Sequence, residues 1–560
     1  MTTTAAGDGA LRPVPGPAGA PTGAHPGWPR FLVQRPSGLV ILSVLVAAVL
    51  LVPLAFLLIE SAGTGVGQVA SLIDRPLTGQ LLWNTVRLSV VVTALCAVIG
   101  TGAAWLTERT NLPGRRVWAV LLVVPLAIPD FVVSFGWASL STDVAGFRGA
   151  VLVMTLAVYP LVYLPVAASF RNADPTQEDV ARSLGCGRLK TFWRITLGQA
   201  KVAILGGCLL VVMVMMAEYG AFEILGYQTF TTEIFTEFQQ SFDIAAACAL
   251  SLVLVALSLL VLGADAAGQR RGRVSRASRT GQRAFTPHRL GLWTAPALVL
   301  LGLLVALALG VPVGSAAYWW ARSTNAPFRG TSLLSATGYT AAYASCAAGL
   351  ATAMALPVAI LAVRRGGRVA HLLERSTYLV LAVPGLVIAL SLSYFSERYG
   401  NGILYQSAPM LVVAYAIMFF PLALVGVRTS VAQAPVGLED VARSLGQRRL
   451  AVFWRVTRPL VTPGLTAAFC LVFLSAVTEL TATLILVPTG VQTLATQFWN
   501  YQTNLAYGQA APFALLMIAI AAVPSYVLGR FFDRYPVRGT RFWKRRDSLP
   551  VDLSAGVTLT

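Results

Sequence analysis

Residues 178–196 read EDVARSLGCGRLKTFWRIT, and residues 439–457 read EDVARSLGQRRLAVFWRVT. The two strings are near copies, and both are charged in a chain of which only 12% is charged. Sliding the chain on itself by the spacing between them also brings Pro160 onto Pro421 and Glu218 onto Glu479. A slightly shorter slide brings WNTVRLSVV near residue 83 onto GYTAAYASC near 338, Pro129 onto Pro384 and Arg109 onto Arg364. One indel accounts for the two registers, so the chain is a duplication in which both copies run the same way.

The surroundings of the repeated string set the class. The chain has 560 residues, 56% of them hydrophobic, and a mean hydropathy of +0.70. A soluble protein of this length needs more polar surface, so the composition predicts a polytopic membrane protein. A bilayer-spanning helix takes about 20 apolar residues. Stretches that reach or approach this length lie near 39–59, 82–106, 117–140, 149–168, 202–217 and 244–263, then near 293–317, 337–363, 376–394, 408–427, 462–478 and 511–529. The expected fold is all-α, with about 12 transmembrane helices as two parallel six-helix repeats around one pseudo-symmetric pore.

The boundaries follow from composition. Residues 1–35 read as a disordered cytoplasmic tail and not a signal peptide. The first repeat spans 36–265 with its charged loop at 171–200. A basic linker covers 266–290, the second repeat 291–545 with its loop at 428–460, and a second tail 546–560.

Loop charge sets the orientation. The linker holds Arg270, Arg271, Arg273, Arg276, Arg279, Arg283 and Arg289. Arg109, Arg115 and Arg116 fall between helices 2 and 3, and Arg364, Arg365 and Arg368 between helices 8 and 9. Alternation puts these loops and both termini in the cytoplasm of a cell-membrane protein. The net charge of +19 then faces an anionic leaflet, and no nucleic-acid partner is implied. The six cysteines lie mostly within apolar runs without a CxxC and read as packing residues. The three histidines form no metal constellation with them.

By helix count both copies of the repeated string are cytoplasmic. Asp179, Arg182 and Lys190 are polar, while Val180, Leu184 and Leu189 supply an apolar stripe, so each string starts as a helix. Asp174-Pro175 and Ala434-Pro435 are start signals. Gly185 and Gly446 then turn the chain sharply, and Phe192, Trp193 and Arg194 begin an interfacial helix. The expectation is a projecting knob that a soluble partner can push. The alternative is an amphipathic loop lying on the lipid headgroups.

The string resembles the EAA loop of permease subunits of binding-protein-dependent ABC importers, whose core is Glu-Ala-Ala, three residues, then Gly. Here that core reads Asp179-Val180-Ala181 to Gly185, and Asp440-Val441-Ala442 to Gly446. Asp replaces the usual Glu and Val the first Ala; the Pro that usually follows is met by Pro459 but is Gly198 in the first copy. The resemblance implies a type I ABC importer permease fold in fused form, with Asp179, Ala181, Gly185, Asp440, Ala442 and Gly446 on two coupling helices. It implies two copies of an ATP-binding subunit at the cytoplasmic face and an extracytoplasmic substrate-binding protein. No GxxxxGK pattern occurs, so the chain has no P-loop of its own and is expected to bind no cofactor and to be no enzyme.

The segments AEYGAFEILGYQTFTTEIF at 217–235 and ELTATLILVPTGVQTLATQFW at 479–499 are similar to matching segments of fused ferric-iron importer permeases. Thiamine and polyamine permeases share the architecture and are the alternatives. Fe(III) favours hard oxygen ligands, which suits a chain poor in His and Cys clusters. Glu218, Tyr219, Glu223 and Glu479 are the candidate pathway residues, because ionisable groups at membrane depth tend to mark a route. The bland alternative is that Glu218 and Glu479 cap the following segment. No high-affinity metal site is expected, since tight binding stalls release. Pro129 and Pro384 read as ordinary transmembrane kinks. A twelve-helix secondary carrier shares the parallel halves but does not explain the doubled loop. A membrane enzyme lacks paired catalytic groups.

Overall fold

The computed structural model describes residues 38–63, 67, 71, 74–271, 287–323, 330–365, 367–400 and 404–534. The two expected tails and most of the basic linker lie outside the described residues. Among the described residues nine helices are long and apolar enough to cross a membrane, or ten if a bent pair counts as one span. Each of the twelve apolar stretches falls on a helical element.

The first half runs α1 (Gly38–Gly63), α2 (Pro76–Arg109), α3 (Asp130–Ala138), α4 (Gly146–Asn172), α5 (Pro175–Ser183), α6 (Leu197–Ala217), α7 (Phe230–Gln239) and α8 (Ile244–Arg271). The second half repeats the order: α9 (Gly291–Arg322), α10 (Gly330–Ile360), α11 (Gly385–Tyr399), α12 (Ala408–Gln433), α13 (Val436–Ser444), α14 (Arg458–Val477), α15 (Leu494–Thr503) and α16 (Tyr507–Arg534).

The halves of the sequence are not the halves of the packing. One core gathers Ala344, Leu386, Leu411 and Val472 of the second half with Leu50 and Leu57 of α1, Phe230 of α7 and Leu254 of α8. The other gathers Val92, Val133, Val153 and Val211 of the first half with Leu301 of α9, Phe498 of α15 and Met517 of α16. Each repeat therefore lends its first helix and its closing helices to the other. Apolar helices gain little by hiding from lipid, so close contact and small residues decide such packing. α10 carries Ala344, Ala347, Ala348, Ala351 and Ala355 on its buried stripe against α12 and α14. Gly100 of α2 leaves no room for a Cβ, which would meet the Tyr163 amide at 2.9 Å.

The two prolines are breaks, not kinks. Residues Arg115–Ala127 and α3 meet at 91°. Pro129 lacks an N–H and sits at ψ 139°, with Ile128 extended before it at ψ 126°, as the ring requires. Its carbonyl then accepts from the amides of Val132 and Val133 and starts α3. Pro384, at ψ 147°, starts α11 the same way through Val387 and Ile388. The repeat also reproduces single hydrogen bonds. The Phe230 amide donates to Thr85 Oγ1 at 3.3 Å, and the Leu494 amide to Thr340 Oγ1 at 2.9 Å.

Candidate functional site

The charged strings form two knobs of the same geometry. In the first, Asp174 caps α5 by accepting from the Thr176 amide at 2.9 Å, and bonds from Thr176 hold its carboxyl below the usual carboxylate range. α5 ends at Gly185, whose φ is +81°. The Gly185 amide donates to Arg182 O and the Cys186 amide to Ala181 O, both at 3.0 Å. These paired bonds close a helix C-terminus around a left-handed glycine. A short helix Arg188–Thr191 follows and then a π-turn over Phe192–Thr196. The second knob lacks the side-chain cap, its N-cap being Pro435, but repeats the turn, with Gly446 at φ +79°, its amide on Arg443 O, the Gln447 amide on Ala442 O, and a π-turn over Phe453–Thr457.

The two faces of each knob differ. The apolar stripe points away from the body: Leu184 is 78% exposed and Leu445 75%, with Val180, Leu189 and Val441 also exposed. The buried face carries Glu178 and Ala181 in the first knob and Glu439 in the second; Ala442 is half-buried. Asp179 and Asp440 are exposed, the latter paired with Arg443 at 3.0 Å.

Sequence reasoning passed over Glu178 and Glu439, yet they bind the knobs to the bundle. Glu178 Oε1 lies 3.4 Å from Arg109 at the end of α2 and accepts from Thr196 Oγ1 at 2.9 Å. Glu439 takes Arg364 at 2.9 Å and Arg443 at 3.4 Å, and Arg364 also donates to the Ala434 carbonyl. The signal was present: Arg109 and Arg364 coincide in the same repeat that aligns the two glutamates. A buried carboxylate needs such a partner.

The second candidate region lies at the far ends of α6 and α14. Glu218 Oε1 accepts from the Ala221 amide at 2.8 Å, and Glu479 Oε1 from the Ala482 amide at 3.1 Å. Both carboxylates thus cap the short helices Gly220–Ile224 and Thr481–Leu486. The chain neighbours of Glu218, Glu479 and Asp130 meet there: a Cβ on Gly220 would stand 2.7 Å from Leu480 and 3.1 Å from Phe131. All three are half-buried. Asp130 escaped notice because its equivalent is Gly385, where a Cβ would strike Met418 at 2.3 Å.

The other two sequence candidates separate from this set. Tyr219 is buried against Phe235 and Trp499, with ring centroids 4.2 and 5.7 Å away. It belongs to a plug with Phe131, Phe135 and Phe498, and Gly220 fits there because a Cβ would meet Leu480 at 2.7 Å. Glu223 is exposed. Among the described residues no three His, Cys, Asp or Glu side chains converge as metal ligands.

Two interleaved helical halves and a pair of matching knobs define a duplicated membrane protein. The chain belongs to the family described as binding-protein-dependent transport system inner membrane component, whose profile matches residues 97–274 and again 351–541. It is 35% identical over 501 residues, 89% of this chain and 99% of the relative, to the Fe(3+)-transport system permease protein FbpB 2 of Haemophilus influenzae. It is 23% identical to the ferric transport system permease protein FbpB of Actinobacillus pleuropneumoniae, over 81% of this chain and 71% of that one. A sulfate transport system permease protein CysT of Salmonella typhimurium is 28% identical over 39% of this chain and 86% of its own length.

Proposed function

We propose that the chain is the transmembrane permease subunit of an ATP-driven importer for ferric iron. An extracytoplasmic binding protein delivers the ion, and two ATPase subunits grip the two knobs from the cytoplasm. The observation that carries the reading is the pair of knobs. Each presents bare leucine and valine on a rigid, glycine-closed turn and is roped to the bundle by a buried carboxylate. An exposed apolar patch on a tied-down element is a surface for a partner. The knobs share one end of the bundle with the arginine-rich loops, which supports a cytoplasmic position for that end and for both termini.

Iron is favoured by the relatives that match most of the chain and by the chemistry of the interior. Asp130, Glu218 and Glu479 offer hard oxygens to a hard cation and repel oxyanions such as sulfate. Their half-buried state suits a route that an ion crosses through weak, transient contacts. The sequence carries no GxxxxGK pattern, so hydrolysis is assigned to a separate ATPase subunit.

The test is reconstitution with the candidate ATPase and binding protein in lipid nanodiscs. Ferric-loaded binding protein is expected to stimulate hydrolysis. Stimulation by thiamine or a polyamine instead of iron would replace the substrate assignment. In the same system, Asp130→Asn with Glu218→Gln and Glu479→Gln keeps the capping oxygens but removes the charge. Iron uptake should fall by about an order of magnitude, near 1.4 kcal/mol of barrier, at unchanged basal hydrolysis. Normal uptake in the triple variant removes the carboxylates from the route.

A further inference from the structure

We propose that the joint between the two halves is itself part of the drive: residues 287–290 form a strut against the first knob, with His288 as its positioning residue. The inference rests on the reading of the knobs as ATPase-binding elements.

The strut is built from backbone and side chain together. The His288 amide donates to Arg109 O at 2.9 Å, the Asn111 amide donates to His288 O at 3.0 Å, and the Leu290 amide donates to Asn111 Oδ1 at 2.9 Å. These bonds zip the entry of the second half along the end of α2. The His288 ring then stacks on Trp105, centroids 6.5 Å apart at 26°, and its Nε2 lies 3.9 Å from Glu178 Oε2. Trp105 meets Phe192 of the π-turn edge-on at 5.7 Å. One imidazole thus reaches α5 directly and the returning helix through Trp105.

The second knob is held differently. Glu439, the equivalent of Glu178, takes its second contact from Arg443 on its own helix. Arg182 occupies the matching position of the first knob, where Glu178 pairs instead with Arg109 and faces His288. Among the described residues the two knobs are therefore near-identical in sequence but held by different contacts. Leu290 leads straight into α9, and α9 packs on α3, which opens with Asp130. A push on the first knob has a continuous packed route to the carboxylates of the interior, whereas the second knob is anchored within its own repeat.

Hydrogen exchange of the full-length permease in nanodiscs tests this for His288→Ala, His288→Gln and Arg443→Ala. His288→Ala is expected to raise exchange across 175–196 by about tenfold and leave 436–457 unchanged. Arg443→Ala is expected to do the reverse, and His288→Gln, which can still donate towards Glu178, to restore part of the protection. In the assembled importer, His288→Ala should lower iron moved per ATP with basal hydrolysis intact. Equal loosening of both knobs in His288→Ala, or no change in either, overturns the strut. Absence of stimulation in the wild-type importer defeats the functional reading instead, while the exchange contrast still decides the strut.

Discussion

Replacing both Gly185 and Gly446 by tryptophan is expected to abolish substrate-stimulated hydrolysis and iron uptake while the chain stays folded in the membrane. Both glycines sit in the left-handed region at φ +81° and +79°, and a Cβ at either meets nothing within 4 Å. The first side-chain atom therefore meets no neighbour, and the expected cost is the backbone strain of a left-handed L-residue, about 1–2 kcal/mol per site. That opens the paired amide bonds from Gly185 and Cys186, and from Gly446 and Gln447, which fix the exposed Leu184 and Leu445. It also sets an indole on the surface that the partner must approach. ATPase assays on the reconstituted importer, with thermal unfolding of the permease as control, measure the two effects apart. Unchanged uptake by the double variant would rule out the knobs as the points of drive.

The largest stability effect is expected at Glu178. Its side chain is 3% exposed and that of Arg109 1%, so Glu178→Ala leaves a buried guanidinium without its carboxylate. Breaking one partner of a buried pair costs about 3–5 kcal/mol. The Thr196 hydroxyl loses its acceptor as well. Glu439→Ala should cost less, because Arg364 is 13% exposed and keeps its bond to the Ala434 carbonyl. Joint replacement of Arg109 and Glu178 by Met and Leu should recover much of the loss, since an apolar pair of similar volume often equals an ion pair in the interior. Thermal midpoints of the singles and the double form a cycle whose coupling term measures the pair. A larger loss at Glu439 than at Glu178 contradicts the difference in burial.

The knobs were legible in large part. A helix closed by a glycine and followed by an aromatic-arginine segment can be read locally, because capping and turn chemistry act within a few residues. The direction of the faces was not. Val180 and Leu184 read only as an apolar stripe and Glu178 was passed over; the structure exposes the first two and buries the third. Apolarity alone does not say whether a stripe is covered by its own chain or kept for a partner. The prolines were likewise read as kinks, although only the surrounding helices decide whether a chain at Pro129 bends slightly or turns through 91°.

The sequence by itself determined the membrane class, the duplication, the two knobs and the family resemblance, because hydropathy, repeat register and capping signals are properties of residues and their neighbours. Only the tertiary structure decided that each repeat completes its core with helices of the other, that Asp130 joins Glu218 and Glu479, and that His288 reaches the first knob. These contacts join residues far apart in the chain. Helix packing without a hydrophobic drive is set by shape and small-residue contact between surfaces, which linear spacing does not encode.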